Sequence, residues 1–146
     1  MAKILIIDDD MIVRDMLLQM MEMEGIDTVS AENGRIALKI IQDTSLDLII
    51  TDIVMPEKDG IETIIAIKKL KPQIPIIALS GGGKITPEVY LEMAQKLGAR
   101  YSFTKPVDRK HLLMAVQNCL RSHEKKQSDQ RVAQTPLPGD EDRTVL

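Results

Sequence analysis

The chain has 146 residues, 44% hydrophobic and 28% charged, with a formal net charge of −3. That suits one soluble globular domain with some chain to spare, and the acidic balance argues against a general nucleic-acid binder, which carries a basic surplus. A lone cysteine, Cys119, excludes an internal disulfide, no Cys/His set has zinc-ligand spacing, and no apolar stretch is long enough to cross a membrane.

Short apolar runs alternate with helical patterns along the chain. Lys3–Asp8 (KILIID) reads as a strand ending in acids. Met11–Glu24 follows, with Val13, Met16, Leu17, Met20 and Met21 at helical spacing and Gly25 as its stop. Its many methionines read as ordinary core and surface. Ile26–Ala31 is a weaker strand, and Gly34–Gln42 places Ile36, Ala37, Ile40 and Ile41 on one helical face. Leu46–Asp52 (LDLIITD) is a second apolar strand, and Met55–Gly60 has turn chemistry around Pro56 and Gly60. Ile61–Leu70 is helical, and Ile74–Ser80 (IPIIALS) is a third apolar strand, running into Gly81, Gly82 and Gly83. Pro87–Leu97 is helical, Arg100–Thr104 is a short strand, and Asp108 can cap a last helix carrying Leu112, Leu113, Val116 and Leu120.

Five strand–helix units of this kind predict an α/β fold, a doubly wound five-stranded parallel sheet covered by helices on both faces. Strands buried on both sides read as unbroken apolar runs, as three of these do. Composition changes near Ser122. Residues 123–146 are mixed-charge, Gln-rich and poor in large apolar side chains. They are expected to be a disordered tail on a domain spanning 1–122, because they bury too little to offset their ordering entropy. His111 and His123 are expected on the surface.

In an open parallel sheet, ligands gather at the carboxyl ends of the strands. Those ends carry Asp8 and Asp9, Asp52, Ser80 and Lys105. Three clustered carboxylates cannot all stay ionised without a cation, and hard oxygen donors without Cys or His suit Mg²⁺. A carboxylate is also a competent nucleophile towards phosphorus. Lys105 can neutralise charge on a transferring phosphoryl group, Ser80 can donate a hydrogen bond to it, and the glycines after Ser80 let backbone N–H groups approach.

The strings ILIIDDD, LIITDIVMPEKDG, IIALSGGG and FTKP, in this order, resemble the receiver domain of bacterial response regulators over roughly Ala2 to Arg121. The resemblance implies a flavodoxin-like (βα)5 sheet of strand order 2-1-3-4-5. It implies Asp52 as phosphoacceptor, with Asp8, Asp9, Asp52 and the carbonyl of Val54 placing Mg²⁺. Pro56, Asp59 and Gly60 match the following loop, Ser80 the hydroxyl that moves onto the phosphoryl group, and Lys105 the family's lysine. Pro106 matches a proline that often follows a cis peptide. The implied donor is a histidine kinase or histidine phosphotransfer protein, and the output is altered affinity for a partner in the cytoplasm, with neither nucleic acid nor membrane bound directly. The chain resembles stand-alone, chemotaxis-type receivers, self-phosphorylating switches and not turnover enzymes. One departure stands out: the family's frequent aromatic three residues before the lysine is here Ser102, and Tyr101 and Phe103 should point to the opposite sheet face.

A rival reading comes from a different class. Asp8-Asp9-Asp10-Met11-Ile12 loosely fits the nucleophile motif of haloacid-dehalogenase-type phosphohydrolases, with Asp8 as nucleophile and Asp10 as acid/base. It needs a further late acidic motif, for which only Asp140–Asp142 is available, and it leaves LIITDIVMPEKDG unexplained.

Overall fold

A computed structural model describes residues 2–53, 60–81 and 87–134. Five strands alternate with five helices: β1 (Lys3–Ile7), α1 (Met11–Met23), β2 (Asp27–Ala31), α2 (Gly34–Asp43), β3 (Leu48–Asp52), α3 (Gly60–Leu70), β4 (Ile76–Ser80), α4 (Pro87–Lys96), β5 (Tyr101–Thr104) and α5 (Arg109–Gln134). The strands form one sheet in the order β2-β1-β3-β4-β5, every pair parallel, with Ile7 beside Thr51, Asp52 beside Leu79 and Ser80 beside Thr104. Fold class and strand order agree with the sequence reading.

Strand alternation divides the core in two. Leu5, Ile7, Ile49, Ile76 and Ala78 pack with Ala37, Ile41, Ile64, Ile67 and Ala94 of α2, α3 and α4. Ile4, Ile6, Leu48, Ile50, Ile77 and Leu79 pack with Leu17, Met21, Leu112, Val116 and Cys119 of α1 and α5. The central strands β3 and β4 are buried at every position, as unbroken apolar runs require. Of the α1 methionines, Met20 and Met21 are core while Met11, Met16 and Met23 face outward.

Local chemistry sets the helix starts. The Asp10 carboxylate accepts the backbone N–H of Ile12 and Val13, Asn33 accepts that of Ile36, and Asp108 accepts that of His111, so each caps donors that the first turn cannot satisfy. Gly98 ends α4 at φ 107°, a backbone shape that disfavours any side chain.

Two expectations meet a different structure. The last helix does not end where the composition changes at Ser122 but runs on to Gln134. Low hydrophobicity forbids burial, not helix: residues 123–134 hold no Gly or Pro, and the first proline is Pro136, which disfavours helix at the residue before it. His123, expected on the surface, is only 4% exposed. It continues the Leu112, Val116, Cys119 stripe at helical spacing, so α5 carries it against the body of the domain. His111 is exposed, its Nδ1 2.8 Å from Asp108 Oδ2.

Candidate phosphoryl-acceptor site

β1, β3, β4 and β5 end side by side, and the residues at those ends share one pocket. Asp8 directly follows β1 and is fully buried; Asp52 ends β3 and is 4% exposed; Asp9 is exposed at the rim. One carboxylate oxygen from each lies within 4.8 Å of the others. Lys105, just after β5, reaches in from the far strand. Its Nζ lies 2.8 Å from Asp8 Oδ2 and 3.4 Å from Asp52 Oδ2. Burial pulls the Lys105 pKa down, but the hydrogen bond to Asp8 and the attraction of Asp52 outweigh it and hold the ammonium above its ordinary 10.5. One ammonium against three carboxylates leaves a net negative, all-oxygen donor set, two of whose members are buried. That arrangement fits a hard divalent cation.

Backbone hydrogen bonds fix these ends. Asp8 N donates to Ala31 O at 3.1 Å, and Lys105 N donates to Ser80 O at 2.8 Å. Asp8 Oδ1 accepts from Asp10 N at 2.9 Å, and the Asp8 carbonyl accepts from Arg14 Nη1 at 2.8 Å. Sequence reasoning passed over Arg14; its position one helical turn past the acidic run was the available signal. The Ser80 hydroxyl is buried and has no hydrogen-bond partner among the described residues. A buried orphan hydroxyl costs about 1–3 kcal/mol, so it is a group waiting for an acceptor.

Two glycines make the pocket possible. A Cβ on Gly60 would stand 2.1 Å from Ile53 Cα and 2.5 Å from Asp52 O, so the start of α3 lies directly against the backbone carrying Asp52. A Cβ on Gly81 would stand 2.6 Å from Lys105 Cβ, so the lysine stem crosses the backbone where a side chain would otherwise be. Sequence reasoning gave Gly81 only an open loop and Gly60 only a turn. The peptide between Lys105 and Pro106 is cis. Ser102 lies opposite Ala78 and is directed towards α4, whereas Tyr101 and Phe103 pack in the α1/α5 core, as the alternation predicts. Val54, Pro56 and Asp59, together with Gly82 and Gly83, lie outside the described residues.

The family model of the response regulator receiver domain matches residues 4–117. The chain belongs to that family, the receivers of two-component systems. The transcriptional regulatory protein CpxR of Escherichia coli K12 is 35% identical over 121 residues, covering 83% of this chain and 50% of that protein. The DNA-binding transcriptional regulator NtrC of Azospirillum brasilense is 34% identical over 122 residues, covering 84% of this chain and 25% of that protein. The chain thus spans half the length of one relative and a quarter of the other. Among solved structures, a CheY-like receiver from Methanospirillum hungatei JF-1 superposes with a TM-score of 0.79 at 28% identity, covering 86% of this chain and 98% of that one.

Membership of this family removes the motive for the rival phosphohydrolase reading, and so does the geometry. Asp10, its proposed acid/base, is spent as the cap of α1 and is not in the carboxylate cluster. Asp140–Asp142 lie outside the described residues. Among the described residues no helix is long and apolar enough to cross a membrane.

Proposed function

We propose that the chain is a phosphorylation switch in which Asp52 accepts a phosphoryl group from a histidine kinase or histidine phosphotransfer protein. The observation that carries this reading is the Lys105 ammonium lying between Asp8 and Asp52, at a sheet edge that also holds the unpartnered Ser80 hydroxyl. Asp8, Asp9, Asp52 and the carbonyl of Val54 would hold Mg²⁺, which supplies charge neutralisation on the phosphoryl oxygens.

This chain's own residues do the rest. A carboxylate oxygen of Asp52 attacks phosphorus in line with the bond to the donor imidazole nitrogen. That bond breaks with its electron pair going to the imidazole, which picks up a proton. Lys105 is already anchored by Asp8, so it can turn from Asp52 to a phosphoryl oxygen without losing its other partner. Ser80 donates its hydroxyl proton to a second oxygen and so gains the acceptor it otherwise lacks. Output is a change in affinity for a partner protein, in the cytoplasm, and the domain ends near His123. Acetyl phosphate with Mg²⁺ should add one phosphoryl mass, and Asp52→Asn should abolish it. Undiminished labelling of Asp52→Asn would overturn the assignment.

A further inference from the structure

The opposite end of the sheet holds a cleft that plays no part in phosphoryl chemistry. It lies at the amino ends of β3, β4 and β5, about 15 Å from Asp52 by the rise of the strands. Two cavities of about 340 and about 230 Å³ adjoin there, and both are walled by Pro72, Gln73 and the buried His123. The first adds Thr44, Ser45 and Lys71; the second adds Lys68 and Arg100.

The polar chemistry of this lining is one-sided. Three permanent cations, two hydroxyls, an amide and an imidazole face the cavities, and no carboxylate lines either of them among the described residues. Asp47, which borders His123, is already engaged: its Oδ2 accepts the Lys3 N–H at 2.9 Å, and its Oδ1 lies 3.6 Å from His123 Nε2. Basic residues at the end of α3 offset that helix's dipole, which accounts for Lys68 and Lys71. It does not account for Arg100 or His123, which come from the start of β5 and from α5 and turn to the same cleft. Arg100 is steadied there by donating from Nη2 to Ser122 Oγ at 3.0 Å. A donor-rich, cationic concavity selects an acceptor-rich anion, and phosphate oxygens are the common match for Arg and Lys. Each cavity brings at least one cation, Lys71 in the first and Arg100 in the second, which suits two linked anionic groups.

We propose that this cleft is a binding site for a small diphosphate, either inorganic pyrophosphate or the diphosphate group of a nucleotide. The test is a pyrophosphate titration of the full chain in EDTA at fixed ionic strength, read by amide shifts and calorimetry. A parallel titration with adenosine diphosphate separates the two sources, since only a nucleotide site would prefer it over pyrophosphate. Saturable shifts are expected at Ser45, Lys71, Gln73 and Arg100. Arg100→Gln should weaken binding at least tenfold and Lys71→Gln several-fold, while both variants keep the wild-type melting temperature within a few degrees and still label with acetyl phosphate. Should Arg100→Gln disturb packing through Ser122, the exposed Lys71 supplies the independent readout. The proposal is overturned by equal shifts from sulfate, by shifts centred on Asp8, Asp9 and Lys105, or by undiminished binding in both variants. The overturning outcomes are all read from anion binding, so none of them depends on whether Asp52 accepts a phosphoryl group.

Discussion

Lys105→Met removes the ammonium that lies between Asp8 and Asp52 while keeping most of the stem that crosses Gly81. At an effective dielectric of about 20, contacts of 2.8 and 3.4 Å correspond to gross attractions of about 6 and about 5 kcal/mol. Desolvation of the three groups takes back most of that, but removing one partner leaves two buried carboxylates facing each other, which typically costs about 3–5 kcal/mol. The lower end applies, because Lys105 keeps some solvent contact. In metal-free buffer at neutral pH the variant should therefore lose about 3 kcal/mol in urea denaturation and roughly 10 °C in melting temperature. The pKa of Lys105 is raised, so its contribution is fully present below its ordinary 10.5 and fades only as pH climbs through the higher folded value. The gap between wild type and variant should thus stay constant from neutral pH to about pH 10. Combining Lys105→Met with Asp8→Asn isolates the pair. Asp8→Asn should destabilise the wild type yet stabilise the Met variant, a coupling above about 1.5 kcal/mol. A loss under about 1 kcal/mol for the single variant, or additive effects in the double, would refute the view that the ammonium holds these carboxylates together.

Other consequences can be checked as directly. Gly60→Ala presses a methyl group onto the backbone of Ile53 and Asp52, and should cost more than about 3 kcal/mol or visibly displace Asp52 in amide spectra. Ser102 Oγ is buried without a partner among the described residues, so Ser102→Ala should be neutral or slightly stabilising. That variant should also leave the amide shifts induced by beryllofluoride, a phosphoryl mimic, nearly intact, whereas Ser80→Ala should shrink them; the reverse pattern would give Ser102 a part in the switch. Burial pushes the Cys119 thiol up to about 11 from 9.0. Folded protein then holds a proton that the unfolded chain releases, so stability should fall by about 2–3 kcal/mol between pH 9 and 11, and Cys119→Ala should flatten that decline. A chain ending at Ser122 loses the buried His123 and should melt about 3–6 °C lower, whereas one ending at Lys125 should not.

Burial on both faces of the sheet explains why the fold could be read from the sequence. β1, β3 and β4 had to be unbroken apolar runs, whereas the edge strand β2, half-buried in DTVSA, announced itself poorly. The site residues were legible for a topological reason: a parallel sheet collects its strand ends, so Asp8, Asp52, Ser80 and Lys105 had to meet although up to 97 positions separate them. What a window of composition could not show was any contact made by a single residue. His123 sits at the head of a polar segment, and averaging hid that it completes the stripe of α5. The close approaches at Gly60 and Gly81 depend on backbone paths that no residue pattern encodes.

The helix α5 begins four residues after Lys105 and runs unbroken for 26 residues, a rod of about 39 Å. The stretch from Leu112 to His123 is packed against the domain. A long rod turns angle into distance: tilting the whole helix by about 5° moves one end about 3 Å relative to the other, more than half the pitch of a helix. Only four positions separate Lys105 from the start of this rod, and the rod's length sets how far such a tilt carries.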